Sequence, residues 1–259
     1  KSSLSEAVDQ YRLLVLSGNP KLDEAERESL TRFVDQGGGL IAAGSTGGLD
    51  ALFGVALDDA RKVVGSHYGP PSQLGEGYIE VRSASHPITS GLASSLHTFG
   101  GVAARAQAGR SLARMRDQLN RPTDLDAVIL NRSGKGSTVL IAPDVVNSVV
   151  RIQQGTFIDQ DGVPSLDGTA PLNDGILKCE DGMVLSYEHD RDAVDGKNPI
   201  FYHPIADELR ELLLKSILFL AHRHRVPLPM LWYYPNDLPA LGHISHDTDG
   251  NDPDLGWAM

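Results

Sequence analysis

The chain has 259 residues, and its contents of 41% hydrophobic and 22% charged residues are ordinary for a globular protein. Its formal net charge of −11 argues against nucleic acid or an anionic membrane as the main partner, because both select basic surfaces. The single cysteine, Cys179, excludes an intrachain disulfide, and no apolar run approaches the roughly 20 residues of a membrane-spanning helix.

The first predicted elements form a strand–helix–strand unit. Residues 11–18, YRLLVLSG, are an apolar run that ends at a glycine, which is typical of a buried strand. Asp23 and Glu26 have the spacing of a capping box at a helix start, and Gly37 is a natural stop. Residues 39–45, GLIAAGS, predict a second buried strand. Such a unit normally has parallel strands joined by a right-handed crossover.

The later elements are less regular. His86 precedes a proline and is expected in a loop that enters a turn. Residues 126–144 predict two strands in an antiparallel hairpin around a glycine-containing turn. The acidic, glycine-rich stretch 156–197 is interpreted as an insertion on the domain surface. Residues 206–225 predict an amphipathic helix with acidic residues in its first turn and basic residues in its last turn. Four prolines make 226–240 a predicted linker.

A glycine-rich turn, Gly44-Ser45-Thr46-Gly47-Gly48, follows the second predicted strand. Enzymes present nucleophiles above a parallel sheet on such a glycine-flanked strand-to-helix turn, and the spacing would put Thr46 at the reactive position. The alternative is a structural turn, because glycines ease the reversal of a strand into the next element. Threonine is also a poor nucleophile without a nearby base.

Residues 22–55, LDEAERESLTRFVDQGGGLIAAGSTGGLDALFGV, resemble the class I glutamine amidotransferase-like fold. The likeness is closer to the non-enzymatic branch of that fold, which includes the trimerisation domain of some β-galactosidases. The resemblance implies a flavodoxin-like three-layer α/β sandwich with a mostly parallel sheet over residues 1–225, interrupted by the acidic insertion at 156–197.

The same resemblance argues against glutamine hydrolysis. Active members of the fold carry a cysteine at the turn, and a late His-Pro-Glu supplies the base and the group that orients it. Here the turn carries Thr46, and His203-Pro204 is followed by isoleucine. Two of the three triad positions therefore differ from the active pattern.

The segment Ser245-His246-Asp247-Thr248-Asp249-Gly250 follows a predicted strand. Residues i and i+2 of a strand face the same side, so Asp247 and Asp249 could direct two carboxylates at one site. One interpretation is an ordinary solvated turn. A second is a calcium loop, although the glycine and the final glutamate of that motif are missing.

A third interpretation is a resemblance. Residues 232–252, WYYPNDLPALGHISHDTDGND, resemble the entry to a polysaccharide deacetylase domain, as in bacterial proteins that place an amidotransferase-like domain before it. It implies that Asp247 is the general base and Asp249 a ligand of zinc or a similar divalent metal. The family also needs two histidines further along the chain, and none of the nine histidines follows the motif. Residues 241–259 are therefore expected to be the truncated start of a deacetylase domain.

Three functions compete at this point. The first is a non-catalytic domain that supports an adjoining carbohydrate deacetylase; the chain alone would then be inactive and hold no cofactor. The second is an amidase or esterase that uses Thr46 or Ser45 with His203. The third is an oligomerisation or glycan-binding module. The resemblance implies a polysaccharide partner and a cell-envelope or secreted location.

Overall fold

The computed structural model describes residues 8–58, 60, 73–93, 95–154, 192–193, 199–200 and 204–228. The chain separates into two compact units, Lys1–Val226 and Pro227–Met259. Every helix and strand given below belongs to the first unit.

A short 3-10 helix, Val8–Gln10, comes before the strands and helices of the sheet. In chain order these are β1 (Leu13–Ser17), α1 (Glu24–Asp35), β2 (Gly39–Ala43), α2 (Asp50–Phe53), β3 (Val55–Leu57), β4 (Glu76–Val81), β5 (Leu96–Phe99), β6 (Ala104–Ala106), β7 (Arg110–Arg116), β8 (Pro122–Ser133), β9 (Gly136–Ile141), α3 (Val145–Gln154), β10 (Asp192–Ala193), β11 (Pro199–Ile200) and α4 (Ile205–Arg223).

The main sheet has the strand order β1-β2-β9-β8-β7-β4-β5, with β3 paired to β6 and β6 paired to β8. Strand β2 runs parallel to β1 and to β9, and all other pairings in this sheet are antiparallel. A separate antiparallel pair joins β10 to β11. The α/β class predicted from the sequence is confirmed, and so is the parallel strand–helix–strand unit.

The expected mostly parallel, flavodoxin-like sheet is corrected to a mixed one. Strands β7, β8 and β9 follow one another through connections of only a few residues. Parallel neighbours need a crossover of a dozen residues or more, so such short links force antiparallel pairing. The parallel arrangement is therefore confined to β1, β2 and β9.

Helix α1 begins and ends as the sequence predicts. The Glu26 amide donates to Asp23 Oδ1 at 2.9 Å, and the Asp23 amide donates to Glu26 Oε2 at 2.9 Å, which completes the capping box. At the other end Gly37 has a φ of +117°. The amides of Gly37 and Gly38 donate to the carbonyls of Val34 and Phe33, the bond pattern of a Schellman motif.

Strand β2 lies between two hydrophobic cores. Leu40 and Ala42 face one core, together with the buried side chains of α1. Ile41 and Ala43 face the other, together with the buried side chains of α4. Strand β9 alternates in the same way, so helices cover both faces of the parallel part of the sheet.

The predicted hairpin and the predicted last helix are both present. Strands β8 and β9 pair antiparallel from Val128↔Ile141 to Ser133↔Gly136. Helix α4 buries Leu209, Leu212 and Leu220 against the sheet. In the described part of the chain no helix combines the length and the apolar character needed to cross a bilayer.

Leu140→Ala is expected to lower the free energy of unfolding by about 2–5 kcal/mol, because it removes a fully buried side chain from the core beneath α1. Chemical denaturation measures the change. The matched control is Leu214→Ala on α4, whose side chain is 50% exposed and whose loss should cost no more than about 0.5 kcal/mol. Equal losses in the two variants would contradict the assignment of the core.

Candidate functional site

The glycine turn, residues 44–48, lies at the carboxyl ends of the parallel strands. Ala43 is paired with Ser17 of β1 and with Ile141 of β9, and the Gly44 amide donates to the Ile141 carbonyl at 2.9 Å. Gly44 has a φ of +86°, and a Cβ placed there would lie 3.0 Å from Cβ of Asp144. Glycine is therefore required at the first position of the turn by both conformation and space.

Thr46 is buried within the turn, with 1% of its surface exposed. Its hydroxyl donates to the carboxylate of Asp50, the first residue of α2. The same oxygen accepts a hydrogen bond from the Gly48 amide at 3.2 Å. The hydroxyl group therefore faces its own loop and already serves as both donor and acceptor.

Ser45 is held in the same manner. Its hydroxyl donates to Asn19 Oδ1 at 3.1 Å and accepts from the Gly47 amide at 3.1 Å. In a nucleophile turn, the amide of the residue after the nucleophile helps to bind the developing oxyanion. If Thr46 were the nucleophile, the amide of Gly47 would have this role. In this structure the Gly47 amide donates to the Ser45 hydroxyl instead. The turn thus presents neither hydroxyl group, and the amide of Gly47 is already hydrogen-bonded.

The other predicted site residues lie outside the described residues. These are the expected base His203, the expected deacetylase residues Asp247 and Asp249, and Cys179. Most of the acidic stretch 156–197 also lies outside them. Among the residues that the structure describes, no group of three or more histidine, cysteine, aspartate or glutamate side chains could hold a metal.

An open groove of about 810 Å³ lies beside the turn, between α1 and α2. Its walls carry charges of both signs, from Arg27, Glu28 and Arg32 of α1, and the turn contributes only Gly48. Neither Thr46 nor Ser45 lines this groove. This groove is therefore separate from the two hydroxyl groups.

Asp144 is a site residue that sequence reasoning missed. It follows β9, packs against Gly44, and accepts a hydrogen bond from the Asn147 amide at 3.1 Å at the start of α3. Burial raises the pKa of the Asp144 carboxyl, and the Asn147 amide and Arg151 only partly oppose this. An aspartate directly before an apolar helix is the signal of a helix cap that could have identified it.

His97 was also missed. It is fully buried, and its ring lies between Tyr78 and Phe99, with centroid distances of 4.6 and 4.5 Å. Its Nε2 is 2.9 Å from Glu76 Oε1 on the neighbouring strand. The only sequence signal is a histidine within the apolar segment LHTF. The ring stack and the carboxylate fix this imidazole inside the sheet.

No family profile and no curated protein matches the chain. Among solved structures it is similar to a β-galactosidase from Bacillus circulans sp. alkalophilus, with 16% identity, a TM-score of 0.43, and coverage of 57% of this chain and 23% of that one. A cytoplasmic protein from Salmonella typhimurium has 16% identity, a TM-score of 0.42, and coverage of 56% and 65%.

A ThuA-like protein from Bacteroides uniformis has 15% identity and a TM-score of 0.36, with coverage of 57% of this chain and 73% of that one. The chain thus spans less than a quarter of the length of the β-galactosidase and about two thirds of the Salmonella protein. Likeness at this level identifies no shared activity. The comparisons give no support to the resemblance to polysaccharide deacetylases.

Thr46→Val is expected to lower the free energy of unfolding by about 1–3 kcal/mol, because it leaves the Asp50 carboxylate and the Gly48 amide without their buried partner. Thr46→Ser keeps the hydroxyl and should cost clearly less. Denaturation curves compare the two variants. Glutaminase and esterase assays on all three proteins should stay at background, and turnover lost on Thr46→Val would show that the turn is catalytic.

Asp144→Asn is expected to remove a pH dependence of stability. The pKa of Asp144 is higher in the folded protein than in the unfolded chain. The protonated carboxyl therefore stabilises the fold below about pH 3.9, and this stabilisation is lost as pH rises through the folded pKa. The free energy of unfolding of the wild type, minus that of Asp144→Asn, should therefore fall as pH rises across that window. Urea denaturation at a series of pH values measures both free energies.

Asp117→Asn is the control for that measurement. Burial alone would raise the pKa of Asp117, but hydrogen bonds from Arg121 and the Leu119 amide outweigh it and lower the pKa. Its contribution to stability is therefore present above about pH 3.9 and lost as pH falls. Slopes of the same sign for the two variants would contradict the environment assigned to Asp144.

Proposed function

We propose that the described unit is a non-catalytic amidotransferase-like domain, and that it supports an adjoining carbohydrate deacetylase domain that begins near residue 241. The glycine turn is the observation that carries the first half of this proposal. The second half rests on the sequence motif around Asp247 and Asp249.

The turn has the glycine spacing of a nucleophile turn without its chemistry. A reactive hydroxyl needs a base within hydrogen-bond reach and a site about 3 Å away where the reacting atom can sit. The hydroxyl of Thr46 donates to the Asp50 carboxylate, which could act as such a base, but Thr46 is only 1% exposed and leaves no place for a reacting atom. The amides of Gly47 and Gly48 are bonded to the hydroxyls of Ser45 and Thr46. Acyl transfer at this position would first require those bonds to break.

The metal chemistry of the proposed deacetylase does not fit this chain alone. A catalytic zinc site needs about three protein ligands, most often histidine or carboxylate. The motif supplies two carboxylates, and no histidine follows them in the sequence. In the proposal Asp249 is one metal ligand and Asp247 the general base. A polysaccharide substrate and a cell-envelope or secreted location belong to the same proposal.

The test compares this chain with a longer protein that carries downstream histidines spaced H-x-x-x-H. The longer protein should bind zinc and release acetate from acetylated polysaccharide, whereas residues 1–259 should do neither, because isolated carboxylates hold zinc weakly. In the longer protein, Asp249→Ala should abolish zinc binding in calorimetry. Asp247→Ala should abolish turnover and leave zinc bound.

Thr46→Val in the longer protein is the matched control, and its rate of acetate release should equal that of the wild type. Absence of zinc binding by the longer protein, or acetate release by residues 1–259, would defeat the deacetylase assignment. An assembly module would then be the remaining function, and the molar mass in solution would test it.

A further inference from the structure

A group of basic side chains lies at the end of the sheet opposite the glycine turn. Helix α4 ends at Arg223, and the next residue, His224, packs over the start of β2, where a Cβ on Gly39 would lie 3.4 Å from His224 Cδ2. The glycine turn, residues 44–48, follows the carboxyl end of β2. The groups at the end of α4 therefore form a region distinct from Thr46 and Asp144.

His86 has a fixed position in this region. The Ile88 amide donates to His86 Nδ1 at 3.2 Å, and the amides of Thr89 and Ser90 donate to the His86 carbonyl at 2.9 and 2.8 Å. A neutral imidazole that accepts at Nδ1 carries its hydrogen on Nε2. His86 is therefore oriented to offer an N–H donor from Nε2.

Arg223 shares an aromatic contact with His86. The ring centroids of His86 and Phe219 are 5.0 Å apart, and Arg223 Cζ lies 5.9 Å from the centroid of the same Phe219 ring. Phe219 and Arg223 are one turn apart on α4, so the guanidinium sits over the ring in a cation–π contact. One phenyl ring thus holds both the imidazole and the guanidinium.

Arg110 approaches from the sheet. It pairs with Leu130 across β7 and β8, and Leu130 packs against the core that α4 covers, so Arg110 also points toward the α4 face. The amides of Arg82 and Ser83 donate to the Leu112 carbonyl at 3.0 and 3.1 Å. These bonds bring the loop that carries His86 alongside the start of β7.

Within the described residues, the two arginines of this group have no acidic partner. In the part of the chain that the structure describes, neither Arg110 nor Arg223 forms an ion pair, although both are exposed and the whole chain has a net charge of −11. Burial lowers the pKa of His86, and the charges of Arg110 and Arg223 lower it further. Two guanidiniums therefore lie close enough to the His86 imidazole to lower its pKa, and among the described residues neither is paired with an acid.

We propose that His86, Arg110 and Arg223 form a binding site for one oxyanion group, either a phosphoryl or sulfate group or a sugar carboxylate. Guanidinium groups match the oxygens of such ions in paired, charge-assisted hydrogen bonds, and the imidazole N–H supplies a further donor. The bound anion would offset the repulsion between the two arginines. This site is independent of the function proposed above.

The experiment follows the imidazole resonances of His86 by NMR during a titration with inorganic phosphate, with chloride at equal ionic strength as the blank. His86→Gln assigns the signal. We expect a saturable shift and a rise in the pKa of His86, because a bound anion favours the imidazolium. Arg110→Gln and Arg223→Gln should each weaken phosphate binding about tenfold or more, since each removes a charge-assisted bond.

Arg114→Gln is the matched control, because it removes the same charge from the same strand, four residues from Arg110. It should leave phosphate binding unchanged. A parallel titration with glucuronate separates the two ligand sources, and tighter binding of phosphate or of glucuronate identifies the class. Absence of a saturable shift with both ions, or equal weakening by Arg114→Gln and Arg110→Gln, would overturn the site.

Discussion

The burial of β2 on both faces is the constraint on which the rest of the described structure depends. All five residues of this strand are buried, and they alternate between the core under α1 and the core under α4. A strand in that position has to be apolar throughout and has to be covered by a helix on each side. The segment GLIAA meets the first requirement, and the amphipathic helices α1 and α4 meet the second.

The same constraint shapes the glycine turn. Where β2 emerges from between its two layers, the chain must reverse beside β9, in the space next to Asp144. The hydroxyls of Ser45 and Thr46 enter this crowded region and bond to Asn19, Asp50 and two amides of the turn. Polar groups that are buried have to be paired, so these bonds stabilise the turn. They also remove the groups that catalysis would need.

Local signals in the sequence predicted a large part of this fold. The capping box of α1, the parallel unit around β2, the β8–β9 hairpin and α4 all depend on residues that are close together in the chain. The positions of β4 and β5 in the sheet did not follow from the sequence, because β4 lies between β5 and β7 through pairings between residues about 17 to 38 positions apart. Short strands such as LHTF carry too little periodicity to specify such long-range neighbours.

The reactivity of the candidate site was harder to predict, because it also depends on contacts between residues far apart in the chain. The glycine spacing indicated Thr46, but its inertness depends on bonds to Asp50 and on the Ser45–Asn19 contact, which joins residues 26 positions apart. The sequence placed His86 correctly in a turn. Its approach to Arg110 and Arg223, however, brings together three elements that are far apart in the chain. Side-chain environments of this kind arise only from the folded arrangement.

Labelling of the intact chain with a fluorophosphonate would show whether the glycine turn presents a reactive hydroxyl group. Such a probe reacts with an activated serine or threonine hydroxyl, and mass spectrometry locates the adduct. Because both hydroxyls of the turn are buried and already hydrogen-bonded, we expect no adduct at Ser45 or Thr46 in the folded protein. A stoichiometric adduct at Thr46, abolished by Thr46→Val, would show that the turn presents a working nucleophile and would contradict the account.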